Sequence, residues 1–170
     1  MESFGSAALR RLLEVLPDAV LATHADLGDA TARVATPRIL EAMALLRDDP
    51  ELCFEMLTDL TAVDHLGDQD QDWEGDGGRF EVVYHLYSVE KNHRVRIKVR
   101  VSQAEPAVDS VVSLWPSANW MEREVWDLYG IHFREHPDLR RILLYDEFEG
   151  HPLRKDYPKE RRQPLIGPRN

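Results

Sequence analysis

Phe80-Glu81-Val82-Val83-Tyr84-His85-Leu86-Tyr87, the turn Glu90-Lys91-Asn92-His93, and Arg94-Val95-Arg96-Ile97-Lys98-Val99-Arg100-Val101 read as two strands and the bend between them. In the first, Phe80, Val82, Tyr84 and Leu86 alternate with Glu81, Val83, His85 and Tyr87. In the second, Val95, Ile97, Val99 and Val101 alternate with four cations. A period of two means one buried face and one open face, so this is an antiparallel hairpin with a core side. The row Arg94, Arg96, Lys98, Arg100 on the other side suits solvent or an edge strand that resists aggregation, and it could also meet an acidic partner.

Upstream, Leu9, Leu12, Leu13 and Leu16 recur at helical spacing after Ser6, which can act as a cap, and Pro17 stops the helix. Val20 to Thr23 and Thr31 to Ala35 read as short strands around the turn-prone Asp26-Leu27-Gly28-Asp29. Thr36 followed by Pro37 predicts a capped helix start, with Ile39, Leu40, Met43 and Leu46 as its apolar stripe, ending near Asp48. Leu52 to Leu57 is a candidate strand that continues through Asp64 after a bend, with the single cysteine, Cys53, buried in it. Gly67 to Gly78 is an acidic loop with too little apolar content to pack. Asp68, Asp70 and Asp72 have the spacing of a calcium loop, but Trp73 and Arg79 stand where its glycine and bidentate glutamate belong.

Downstream, Pro106 opens a predicted helix carrying Val108, Val111, Val112 and Trp115. Asn119 with Glu122 forms a predicted capping box for the next helix, whose stripe is Met121, Val125, Leu128 and Tyr129 and whose end is Gly130. Ile142 to Tyr145 reads as a short strand. The expected architecture is α+β: a mixed or antiparallel sheet with helices packed on it over residues 1–145, followed by an extended C-terminal docking arm, 146–170.

Composition narrows the function. At 170 residues and 43% hydrophobic, the chain suits one core. No apolar run approaches the roughly 18 to 20 residues of a membrane span, and no signal-peptide layout is seen, so a soluble intracellular protein is expected. One cysteine cannot hold an iron–sulfur cluster or a cysteine-rich zinc site. The net charge of −10 argues against nucleic acid. Residues 151–170 carry six Lys/Arg against two acids, a net of +4, which leaves −14 for the body.

Catalytic groupings are sparse. His132 and His136 stand four apart, but Gly130 and Pro137 break any helix that would aim both at one metal, and Asp59, Asp64 and His65 fit turn hydrogen bonds. No phosphate loop or nucleophile elbow occurs. Trp115, Trp120 and Trp126 crowd around Arg123, and Trp and Arg are enriched at interface hot spots.

Glu122-Arg123-Glu124, Asp127, Leu128-Tyr129, His136, Arg140 and Ile142-Leu143, at their spacing, resemble the signature of the respiratory complex I thirty-kilodalton subunit family. Leu60-Thr61-Ala62-Val63-Asp64 and Glu149-Gly150-His151-Pro152-Leu153-Arg154-Lys155-Asp156-Tyr157-Pro158 are similar to two further blocks of it. The resemblance implies a cofactor-free, non-catalytic α+β subunit of the peripheral arm of proton-translocating NADH:quinone oxidoreductase. Its partners would be the large quinone-site subunit (the forty-nine-kilodalton type) and the iron–sulfur subunits of the connecting arm. FMN, iron–sulfur clusters, NADH and quinone would be used elsewhere in the complex. It would sit peripherally at the cytoplasmic face of the bacterial inner membrane, touching the membrane only through the complex, without nucleic acid. The expected interface residues are Glu122, Arg123, Glu124, Trp126, His136, Arg140, Arg141, His151, Arg154, Lys155 and Tyr157. Alternatives are the equivalent subunit of a membrane-bound hydrogenase or ferredoxin-linked complex and, in another class, a stand-alone metal-dependent hydrolase built on His132 and His136.

Overall fold

A computed structural model describes residues 6–68 and 78–166 of the chain. Leu9 and Leu12 are buried on one side of α1 (Ala7–Val15); Ser6 holds the cap position, but its hydroxyl makes no capping bond. β1 (Val20–His24) and β2 (Thr31–Val34) pair antiparallel across the turn Asp26–Gly28. Thr36 does not cap the next helix: its hydroxyl donates to Arg100 O at 2.7 Å, and one 3-10 turn precedes α2 (Ile39–Asp48).

β3 (Met56–Asp64) starts later than expected. Leu52 and Phe54 are buried, but between them Cys53 adopts a left-handed conformation, φ 48°, with Sγ 3.3 Å from Pro50 O. Cys53 is therefore a half-buried turn residue, and not a buried strand residue. β4 (Phe80–Ser88) and β5 (His93–Val101) form the expected antiparallel hairpin, with Tyr84 opposite Ile97 and His85 opposite Arg96. β6 (Ala107–Asp109), α3 (Ala118–Tyr129) and β7 (His132–Arg134) complete the elements. The calcium-like spacing within the acidic loop falls largely outside the described residues.

The main sheet runs β1-β2-β5-β4-β3, with β2 parallel to β5 and the other pairs antiparallel. The basic strand is therefore central and not an edge. Its inward Val95, Ile97 and Val99 join Phe80, Val82, Tyr84 and the buried sides of α1 and α2 in one core. Its outward cations meet carboxylates of their own chain: Lys98 Nζ stands 3.0 Å and Arg100 Nε 3.5 Å from Glu81, and Arg96 lies 2.7 Å from Asp29. Cross-strand pairing with Arg100, and Lys98 beside it, accounts for the burial of Glu81 on the face opposite the core residues Phe80 and Val82.

The expected helix after Pro106 is instead β6, which pairs parallel with β7 in a second sheet. Val108 and Val111 are buried all the same. Ile142 to Leu144 form a bend and Tyr145 is irregular, so no strand is present there. α3 begins after Ser117, so Asn119 is not its cap and Glu122 completes no capping box. Gly130 ends it at φ 72°, the left-handed position glycine favours. A Cβ there would also meet the His151 ring at 2.5 Å, so the helix end is fitted to the segment that returns over it.

Candidate functional site: a polar clasp under the signature helix

α3 is amphipathic in an unusual sense. Its buried positions are Ala118, Glu122, Arg123, Val125 and Asp127, three of them charged, while Met121, Leu128 and Tyr129 of the expected stripe are only half-buried. Buried charge is costly unless paired or hydrogen-bonded, and these three side chains are held by two backbone segments, Arg123 and Asp127 by residues 140–144 and Glu122 by residues 110–111.

Asp127 is fully buried. Its Oδ2 accepts the successive N–H groups of Ile142, Leu143 and Leu144 at 3.1, 2.9 and 2.9 Å, and its Oδ1 faces Arg141 Nη1 at 2.6 Å. Burial alone would push this carboxyl up, but the Leu144 and Leu143 amides, then Arg141 and the Ile142 amide, outweigh it and hold the pKa below the ordinary value. Arg123 works from one turn earlier, donating to Arg140 O at 3.1 Å while its guanidinium lies 4.9 Å from the Trp120 ring. The two side chains grip Arg140 to Leu144 from opposite ends.

Glu122 faces the other way. Its carboxylate accepts from Ser110 Oγ at 2.6 Å and Val111 N at 2.7 Å, fixing the chain after β6. His136 Nε2 stands 4.0 Å away, but Asp138 N–H donates to His136 Nδ1, which leaves the ring proton on Nε2 for Asn119 O at 3.2 Å. Desolvation raises the Glu122 pKa from 4.5 to about 7, against the two hydrogen bonds. The folded chain thus holds this proton more tightly than the unfolded chain. Stability falls as pH rises from about 4.5 to about 7, by roughly 3 kcal/mol in all, and stays at the lower level above. Glu122→Gln should flatten that window and raise stability at pH 8 by about 1–3 kcal/mol in urea unfolding. An unchanged pH dependence would show that Glu122 ionises normally.

A second clasp joins the returning segment to the main sheet. Asp64 lies on the buried face of β3, where Arg79 binds it through Nε and Nη2 at 2.8 and 2.6 Å. Arg79 also binds Asp156 at 2.8 and 2.6 Å, and Lys155 N–H donates to Asp64 at 2.8 Å. Burial opposes ionisation of Asp64, but Arg79 and the Lys155 and Leu66 amides prevail and bring its pKa from 3.8 to about 2. Arg154 donates to Tyr129 O at 2.5 Å and lies over the Phe80 ring, and His151 Nδ1 contacts Asp127 O at 3.0 Å. Residues 151–157 therefore lie on the body of their own chain.

Of the eleven residues expected at an interface, Glu122 and Arg123 are enclosed, and Trp126, His136, Arg141, His151, Arg154 and Tyr157 are half-buried in these internal contacts. Glu124, Arg140 and Lys155 are exposed. The sequence marks Asp127 and Asp156 only through the family resemblance and Trp120 only as one of a tryptophan cluster, and it places none of them, nor Arg79, among the expected interface residues; Trp120 is 64% exposed. Asp64 carried a signal, since the alternation Leu60, Ala62, Asp64 places a carboxylate in a core register. His132 is exposed on β7, and among the described residues no group of three His, Cys, Asp or Glu could hold a metal ion. Nor is any described helix long and apolar enough to cross a membrane.

The sequence pattern of the family described as respiratory-chain NADH dehydrogenase, 30 Kd subunit, matches residues 32–163. The chain belongs to this family. Among curated relatives, the C-type subunit of NADH-quinone oxidoreductase from Roseiflexus castenholzii is 47% identical over 150 residues, covering 88% of this chain and 82% of that one. The protein of the same name from Citrifermentans bemidjiense is 44% identical over 162 residues, 94% of each. Among solved structures, the trypsin-resistant fragment (1-134) of Nqo5 superposes with a TM-score of 0.66 at 33% identity, covering 78% of this chain and 99% of the fragment. A chain of the archaeal membrane-bound sulfane sulfur reductase shares the fold, with a TM-score of 0.69 at 23% identity over 89% of this chain and 84% of its own. Both clasps of this thirty-kilodalton subunit family member, and the exposed rim beside them, fall inside the matched range.

Proposed function

We propose that this chain is a non-catalytic, cofactor-free subunit of the peripheral arm of NADH:quinone oxidoreductase, at the cytoplasmic face of the bacterial inner membrane. Its work is to dock the large quinone-site subunit and the iron–sulfur subunits of the connecting arm. The observation that carries this reading is the exposure of Trp120 (64%) and Leu143 (59%) on the two parts that Arg123 and Asp127 lock together. Large apolar side chains held on rigid elements, next to the exposed Arg140, have the composition of an interface hot spot. The buried charges fix the geometry of that rim, and the residues around it meet the partner. The likeness to a trypsin-resistant fragment of Nqo5 supports a protease-stable body that could carry such a rim.

Trp120→Ala tests this directly. In cells carrying a tagged large subunit, recovery of the variant should fall at least about tenfold, because truncating an interface anchor costs about 2 kcal/mol or more of binding. Its melting temperature should change by less than about 2 °C, since an exposed side chain adds little to stability. Undiminished recovery would remove the rim from the interface.

A second reading is the equivalent subunit of a related membrane-bound respiratory complex, favoured by the fold shared with the sulfane sulfur reductase chain. The co-purifying subunits separate the two: flavin and nicotinamide subunits for NADH:quinone oxidoreductase, their absence for the relative.

A further inference from the structure

The open face of the sheet gathers cations in a chain whose net charge is −10. Towards the ends of β4 and β5 nearest Gly78 that charge is answered internally, by Glu81 between Lys98 and Arg100. Towards the hairpin turn it is answered only in part. Arg96 pairs with Asp29 at 2.7 Å and Asp59 lies opposite His85, but Arg94 is exposed and makes no ion pair among the described residues. A cleft of about 330 Å³ runs across the face between Thr58 on β3, His85 and Tyr87 on β4, and Arg94 and Arg96 on β5. The Asp29–Ala30 corner closes its far side. Burial, and then the neighbouring Arg96, lower the His85 pKa, so a neutral ring forms the floor.

We propose that this cleft docks a short acidic stretch of a partner polypeptide, with a carboxylate seated on the Arg94 guanidinium and the stretch lying over His85 and Tyr87. An exposed guanidinium presents a fork that matches a carboxylate, and the cleft has room for one or two side chains. This surface is distinct from the Trp120 rim and stands whichever respiratory complex the chain serves.

Fluorescence anisotropy of the full chain with a labelled dodecapeptide of alternating Glu and Ala tests the assignment, with the Gln–Ala peptide as its neutral twin. Binding of the Glu peptide should be at least about tenfold tighter than that of its twin and should weaken with salt. Arg94→Glu should abolish the difference, and Arg94→Gln should reduce it. Lys159→Glu, the same charge change in the C-terminal segment, should leave it intact. Equal binding of the two peptides, indifference to Arg94→Glu, loss with Lys159→Glu, or preferential displacement by phosphatidylglycerol vesicles or a single-stranded oligonucleotide would each overturn the proposal.

Discussion

Asp127→Ala is expected to destabilise the folded chain by about 3–5 kcal/mol, read as a lower urea midpoint. The magnitude follows from what the carboxylate satisfies. Three successive amides, Ile142, Leu143 and Leu144, converge on one oxygen, and Arg141 closes on the other. Consecutive N–H groups pointing inward form an anion-binding nest, and alanine leaves both the nest and the guanidinium without their partner. Arg141 also donates to Phe148 O and Gly150 O, so its release should loosen the chain as far as Gly150. Trypsin should then cut faster after Arg140 and Arg141 in the variant. Asp127→Asn keeps one acceptor and should lose less, about 1–2 kcal/mol. A midpoint shift in Asp127→Ala worth under about 1 kcal/mol would mean that the segment finds equivalent partners in solvent.

Arg79→Ala is the second large effect, also about 3–5 kcal/mol, because it leaves Asp64 buried with its charge unpaired. Side-chain exposure of Arg79 and Asp64 is only 6% and 2%, so solvent cannot replace the pair. The loss depends on pH in a defined direction. A carboxyl whose pKa is depressed from 3.8 to about 2 contributes stability above pH 3.8, and that contribution disappears as pH falls through about 2. It amounts to roughly 2 kcal/mol. Wild type should therefore lose stability steeply between pH 4 and pH 2, whereas Arg79→Ala, whose Asp64 titrates higher, should lose it earlier on acidification. Identical acid unfolding curves would show that Arg79 does not set the Asp64 charge. Because Arg79 binds Asp156 as well, the variant should also expose the Lys155–Asp156 stretch to protease.

The hairpin was legible because its pattern is local: each face of Phe80 to Val101 is spelled out every second residue. Its place in the sheet was not. β5 is central only because β2, some sixty residues earlier, comes alongside it in parallel, a pairing no local pattern records. β6 was mistaken for a helix for a related reason. Val108, Val111, Val112 and Trp115 have helical spacing, yet the partner of β6 is β7, on the far side of α3. Asn119 looked like a cap because the capping box fits the letters, but the helix had already begun after Ser117. The candidate site divides in the same way. The signature letters identified the family, but their spacing suggested charges displayed to a partner, whereas the fold turns Glu122, Arg123 and Asp127 inward onto Val111, Arg140 and Leu144. Trp120 then becomes the exposed aromatic and Trp126 a packed one, in contact with the core.

The most direct test of the clasp is amide hydrogen exchange of Ile142, Leu143 and Leu144 in the isolated full-length chain, compared with Asp127→Ala. Strong protection of all three amides in wild type, lost together in the variant while β4 and β5 stay protected, is the predicted result. Exchange of those amides at the rate of an open chain in wild type would contradict it and would mean that the segment is ordered only by a partner.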